Sequence, residues 1–224
     1  MLKFTENEIE YIINDNNTAS LSSASNFTGK ELTVPQYIAN NIPVVEISNR
    51  AFYRNENICD IILPSTVKNI GEYAFSWCAK LESVKISGAK IIASRAFMGC
   101  GKLKNITLPS SLKRIEEKAF SYCSSLVSVN LPDNIIHLGE MVFEGCRKLE
   151  SVRLPKGLKI LANGMFYACV SLRDVILPEY VDYIDEYAFA YCTSLVLPDI
   201  PASAVINESA FHECGDLRKR YIAS

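Results

Sequence analysis

The sequence predicts a strand-rich parallel solenoid, and three observations predict it. A phenylalanine returns every 22 or 23 residues, a cysteine follows it three positions later, and the apolar pattern then switches to a period of two. Phe52, Phe75, Phe97, Phe120, Phe143, Phe166, Phe189 and Phe211 mark eight copies. Self-similarity at such a period marks a repeat architecture, in which no single unit can bury its own apolar side and stacking supplies the missing contacts.

Each period justifies its elements in order. Alanine precedes phenylalanine in six copies; Val142 and Met165 replace it in the other two. The cysteine column holds Cys78, Cys100, Cys123, Cys146, Cys169, Cys192 and Cys214, with Asn55 in the first copy. Three residues further comes Ile58, Leu81, Leu103, Leu126, Leu149, Leu172, Leu195 or Leu217. Pairs such as Val84 and Ile86, or Val129 and Leu131, then alternate, which places them on the inner face of a short strand. Pro64, Pro109, Pro132, Pro155 and Pro178 close that strand, because proline has no N–H to give to a ladder. A second pair, as in Leu112 and Ile115, predicts an extended or weakly ordered second side before the next Ala-Phe. Two copies depart from the pattern, with Ser87 where proline is expected and Pro198 in place of the strand valine, and local irregularity is expected at both.

The phrase L-x-x-V/I-x-L resembles leucine-rich repeats. Joined to P-x-x-L-x-x-I-x-x-x-A-F-x-x-C from Ile47 to Leu217, it is similar to the BspA-like subclass. That resemblance implies a curved, right-handed solenoid of the α/β leucine-rich repeat type, rich in strands, with short turns or 3-10 segments and one parallel sheet on its concave face. It further implies an N-terminal β-hairpin and capping segment over 1–46, read from "EIEYIINDNNTASL" and "ELTVPQYIANNIPVVEISNRAF". A single continuous domain of about eight repeats then fills 47–224. The functional implication is a non-enzymatic protein-binding or adhesion module at the cell surface or secreted, with no catalytic residues to carry over and no cofactor. The alternative function is a scaffold that displays or spaces another domain.

Composition narrows the partners. The formal net charge is −2 and the pI is near 5.8, which argues against nucleic acid, whose binding depends on clustered Lys and Arg. No run approaches the roughly 18 apolar residues of a membrane span, so no membrane insertion is expected. The opening MLKFTENEIEYIIND is interrupted by Glu6, Glu8 and Glu10 and lacks the apolar stretch of a signal peptide, which leaves a cytoplasmic location open.

Eight cysteines raise the question of disulfides, zinc or a nucleophile. Stacked strands lie roughly 4.8 Å apart, inside the bridging range of about 4.4–6.8 Å, but parallel side chains present poor S–S torsions. The column is therefore expected to be an unbridged thiol ladder inside the solenoid, with Cys59 more accessible. Zinc would need C-x2-C pairs, and the chain has none, with only His137 and His212 as imidazoles. His212 lies two residues before Cys214, but its column holds Ser121, Glu144 and Tyr167 elsewhere, as a turn residue would. The phenylalanine column reads as an internal spine.

The outward positions of the strand define the expected partner face. One column runs Asp60, Ser83, Asn105, Ser128, Ser151, Asp174, Leu197, and the other runs Ile62, Lys85, Thr107, Asn130, Arg153, Ile176, Asp199. The candidate contacts are Ser83, Lys85, Asn105, Thr107, Ser128, Asn130, Ser151, Arg153 and Asp174, suited to hydrogen bonding with a protein, such as a host matrix or cell-surface protein, or with a glycan. Trp77, Tyr122, Tyr167 and Tyr191, on the turns, form a second candidate surface. At the C-terminus, RKRYIAS leaves the last coil with an open edge, where either a longer chain continues or a homotypic contact is expected.

Overall fold

The computed structural model describes residues 2–196 and 198–215. It is a β-solenoid of about eight turns, with parallel sheets and almost no helix. The chain starts as an antiparallel meander of β1 (Leu2–Glu6), β2 (Ile9–Ile13) and β3 (Ala19–Ser23). Next come β4 (Glu31–Thr33), β5 (Tyr37–Ile38), a single 3-10 turn at Ala39–Asn41 and β6 (Ile42–Ile47).

Each following coil contributes one strand of three or four residues and a two-residue bridge. These are β7 (Asp60–Leu63) and β8 (Asn69–Ile70), β9 (Ser83–Ile86) and β10 (Ile91–Ile92), β11 (Asn105–Thr107) and β12 (Arg114–Ile115). They continue as β13 (Ser128–Asn130) and β14 (His137–Leu138), β15 (Ser151–Arg153) and β16 (Ile160–Leu161), β17 (Asp174–Ile176) and β18 (Tyr183–Ile184), with β19 (Val205–Ile206) in the last described coil.

The longer strands stack in parallel as β4-β7-β9-β11 and, after an interruption, β13-β15-β17. The second side, expected to be extended or weakly ordered, is extended and forms a parallel ladder of its own: β3-β6-β8-β10-β12-β14, then β16-β18-β19. The N-terminal meander therefore enters the stack through the second side, where β3 pairs with β6, while β4 opens the first side. At Pro198 the first ladder has no further strand among the described residues, and only the Val196 N–H reaches back to Arg173 O at 2.9 Å. At Ser87 the expected irregularity is absent, and β9 keeps the register and the four-residue length of β7, which stops just before Pro64. Serine keeps an N–H that donates to Leu63 O.

The core is a set of columns. The eight phenylalanines are buried, and their rings stack with centroids 4.8–5.8 Å apart and planes within 16° of parallel from Phe52 through Phe211. Offset stacking at this spacing adds to the burial of the rings, since the aromatic quadrupoles are complementary.

A third side closes each coil: a ridge of tight turns around the phenylalanine. Most of its backbone N–H groups are paired without helix or strand, as buried amides require. Alternate N–H groups close turns within the coil, as in Tyr53 N–H to Arg50 O and Asn55 N–H to Phe52 O. The others cross to the next coil: Arg50 to Glu72 O, Phe52 to Ala74 O and Arg54 to Ser76 O. The residue two after phenylalanine is left-handed in all eight copies and the residue two before it in seven, among them Tyr73, Arg95, Trp77, Tyr122 and Tyr191.

Candidate binding face and thiol column

The strand phrase positions the candidate residues in strict register. Ser83 pairs with Asn105 and Lys85 with Thr107. Ser128 pairs with Ser151 and Asn130 with Arg153, and Ser151 pairs in turn with Asp174. Burial alternates as the period of two demands: Val129, Val152 and Val175 are buried between exposed neighbours. Of the nine residues only Ser83 is half-buried, and the rest are exposed. The structure brings them together on one face, in two blocks separated by the interruption between β11 and β13. Leu197 and the C-terminal segment RKRYIAS lie outside the described residues, and so does the homotypic edge placed there.

Arg153 donates to Asp133 Oδ1 at 2.9 Å, and the pair holds the Asp133 carboxyl below its ordinary range. The other eight side chains have no hydrogen-bond or ion-pair partner among the described residues, so their donors and acceptors face solvent. Beside Arg153 the face falls into a recess of about 370 Å³ lined by Leu154, Lys156, Ile176, Pro178 and Tyr180, among others. Tyr180 and Ile176 are 65% and 62% exposed, unusually high for large apolar groups. Sequence reasoning placed Ile176 in an outward column but missed Tyr180, because the position two after Pro178 has no fixed residue in the repeat phrase.

The thiol column answers why cysteine recurs. Each column cysteine from Cys78 to Cys214 is buried and free, and each Sγ–H donates to the carbonyl of the phenylalanine one coil earlier. Phe75 O, for instance, accepts from Cys78 N–H within the coil and from Cys100 Sγ at 3.1 Å across the step, so both of its lone pairs are used. Cysteine suits the place as a small, buried, weakly polar donor. Burial pushes the Cys78 and Cys146 thiols up to about 12 and Cys214 to about 11, and raises Cys100, Cys123, Cys169 and Cys192 as well. Cys59, outside the column, is half-buried and therefore more accessible than the others. His212 meets Tyr187 and Tyr191 edge-on, while Cys214 reaches the His212 backbone carbonyl rather than its ring. The two do not form a nucleophile and base.

Asn55 shows what the column requires at its first position. Its Nδ2 donates to Ala24 O, Ser25 O and Phe27 O, while its Oδ1 accepts from Asn57 and Ile58 N–H. Ala24 N–H bonds Ala51 O and Phe27 N–H bonds Ala24 O, so Ala24 occupies the phenylalanine place and Phe27 the cysteine place. Residues 24–27 are thus a degenerate turn of the ridge, and an amide with more donors replaces the thiol where the chain below is irregular.

On the ridge, Arg50 lies over the rings of Tyr53 and Tyr73, Arg54 over Tyr53, and Arg95 over Tyr73, at 5.3–5.9 Å from the centroids. Tyr122 donates to Glu144 at 3.1 Å, while Tyr167 and Tyr191 meet edge-to-face. Of the four aromatic residues on this second candidate surface, Trp77, Tyr122 and Tyr191 are exposed and Tyr167 is half-buried.

Parallel coils with an L-x-x-V-x-L strand, a proline stop and an Ala-Phe-x-x-Cys ridge define a leucine-rich repeat solenoid. The chain belongs to the BspA type leucine-rich repeat family, whose model of six copies matches residues 3–123 and again 90–218. A leucine-rich repeat protein of T. pallidum is 32% identical in sequence, with a TM-score of 0.77 over 87% of this chain and 91% of that one. A leucine-rich repeat protein of Bacteroides ovatus is 30% identical, with a TM-score of 0.67 over 96% of this chain and 63% of that one. No curated protein matches the chain. Among the described residues no helix is long and apolar enough to cross a membrane.

Proposed function

We propose that this chain is a non-enzymatic binding module, displayed at a cell surface or secreted, that grips an extended protein segment or a glycan along its strand face. The observation that carries this reading is the register-matched face of Lys85, Asn105, Thr107, Ser128, Asn130 and Ser151, whose polar groups have no partner among the described residues. Such groups gain hydrogen bonds on binding without breaking internal ones. The recess around Ile176 and Tyr180 offers the apolar anchor at one end of that face. Nucleic acid fits poorly, because the only cations of the two columns are Lys85 and Arg153, and Arg153 already holds Asp133. The surface location rests on the family alone.

Binding to matrix proteins, cell-surface proteins and arrayed glycans tests the reading. Asn130→Glu and Tyr180→Ala should each weaken the specific interaction by roughly tenfold or more, the size expected for an interface anchor. A ligand that binds both variants as it binds the native chain would refute the strand face. A chain that binds nothing in these screens would instead favour the scaffold role.

A further inference from the structure

The ridge carries a recess that the strand-face reading does not use. It measures about 510 Å³, within the range of small-ligand sites, and is lined by Arg54, Glu56, Trp77, Ala79 and Lys80. These residues come from two successive ridge turns and the segments that follow them, and none belongs to β7 or β9 of the same coils.

Three features of the recess point to one ligand chemistry. The Trp77 ring is 45% exposed, although tryptophan is among the most costly side chains to leave in water. It is also fixed in place, for it lies against Gly99 of the next coil: a Cβ at Gly99 would come within 2.7 Å of Trp77 Cδ2 and Cε3. A flat apolar ring, backed on one side and open on the other, suits a ligand with an apolar face.

The second feature is charge. Arg95, Lys104 and Lys118, of the two coils that follow, each hold a carboxylate. Arg54 and Lys80 hold none among the described residues. Arg54 is steadied instead by the Tyr53 ring, 5.3 Å from its guanidinium carbon. Two unspent cations beside an aromatic plane call for an anion, and guanidinium groups pair with carboxylate or sulfate through two parallel N–H donors. The third is Glu56, an unpaired carboxylate on the same rim, which can only accept, and so asks the ligand for hydroxyl donors.

An apolar ring face, an anionic group and free hydroxyls occur together in an acidic sugar. We propose that this recess binds a carboxylate- or sulfate-bearing sugar of a glycan, with its C–H face on Trp77, its anion between Arg54 and Lys80, and a hydroxyl on Glu56. The site is separate from the strand face, and either can exist without the other.

The chain has a single tryptophan, so the proposed contact reports on itself. Titration of the full chain with a size-defined sulfated uronate tetrasaccharide at low salt should change the Trp77 emission saturably. Affinity should fall by roughly tenfold or more in Arg54→Gln with Lys80→Gln, both exposed positions where folding is retained. Calorimetry should show a similar loss for Trp77→Ala, and neutral maltotetraose should bind at least roughly tenfold more weakly, since it lacks the charge-assisted contacts. Asn130→Glu on the strand face should leave the titration unchanged.

Neither emission change nor heat with the sulfated tetrasaccharide would overturn the proposal, as would equal binding of maltotetraose. A sulfotyrosine peptide or adenosine monophosphate bound more tightly than the tetrasaccharide would also overturn it in favour of that class. Loss of binding in Asn130→Glu would move the ligand to the other face.

Discussion

The strand face and the turn ridge are both built by stacking one coil on the next, yet they constrain their side chains in opposite ways. On the strand face the backbone is ordinary extended chain, and the outward positions accept Ser, Asn, Thr, Lys or Arg without structural consequence. On the ridge every residue two after phenylalanine is left-handed: Arg54, Trp77, Gly99, Tyr122, Gly145, Ala168, Tyr191 and Glu213. That conformation costs an L-residue roughly 1–2 kcal/mol, and only two of the eight are glycine. The inter-coil bonds from residues such as Arg54, Trp77 and Tyr122 hold them there. The difference teaches that the strand face is free to be chosen for a partner, whereas a ridge residue must first satisfy the coil beside it.

The largest expected effect comes from the thiols under the ridge. Burial disfavours the thiolate, so the folded chain holds these groups above the ordinary value of 9.0 that they regain on unfolding. A raised folded value means that their contribution is complete below about pH 9. It is then lost as pH climbs through the window from there toward about 12, the value of Cys78 and Cys146. Each buried thiol should then remove about 1.4 kcal/mol of stability per pH unit. Seven such thiols acting together would reach the whole marginal stability of a domain, about 5–15 kcal/mol, within one or two units. Urea unfolding at neutral pH and above pH 9 measures this. Cys123→Ala should flatten the alkaline decline by one thiol's share, and an identical slope would show that the column does not govern it.

Next in size is Phe120→Ala. Removing one ring from a continuous stack leaves Phe97 and Phe143 facing a void, and truncations of this kind cost about 3–5 kcal/mol. An unchanged unfolding midpoint would contradict the inward spine.

Much of this was legible in the sequence, and the reason is periodicity. A column that repeats eight times announces its environment, so the phenylalanine spine, the thiol ladder and the outward pairs of β9 through β17 could be placed from spacing alone. What stayed hidden lacks a periodic signal. The second ladder rests on two-residue bridges such as Ile91–Ile92, too short to show alternation. The left-handed pair, present in seven of the eight turns, is hidden because glycine, its usual sign, is mostly replaced by Tyr, Trp, Arg or Lys. The degenerate turn at Ala24 to Phe27 keeps the backbone pattern of a repeat while exchanging its residues. Tyr180 and the Trp77 recess depend on single copies, and a repeat reading averages over single copies.

The smallest effects test the contrast itself. Gly145 is left-handed, and a Cβ there would lie 2.8 Å from Tyr122 Cδ1 and 3.0 Å from its Cε1. Gly145→Ala should therefore cost about 1–3 kcal/mol, combining backbone strain with displacement of the ring and its bond to Glu144. Asn130→Ala on the strand face should change stability by no more than about 0.5 kcal/mol, as a surface substitution with nothing to break. The double variant Gly145→Ala with Tyr122→Ala separates the two parts of the ridge effect. If ring displacement is the main cause, most of the glycine penalty should vanish once the ring is gone, a coupling that a double-mutant cycle reads directly. If the penalty persists in full, backbone conformation alone limits the ridge. The alternation of Trp77 with Gly99 and of Tyr122 with Gly145 would then have no packing origin.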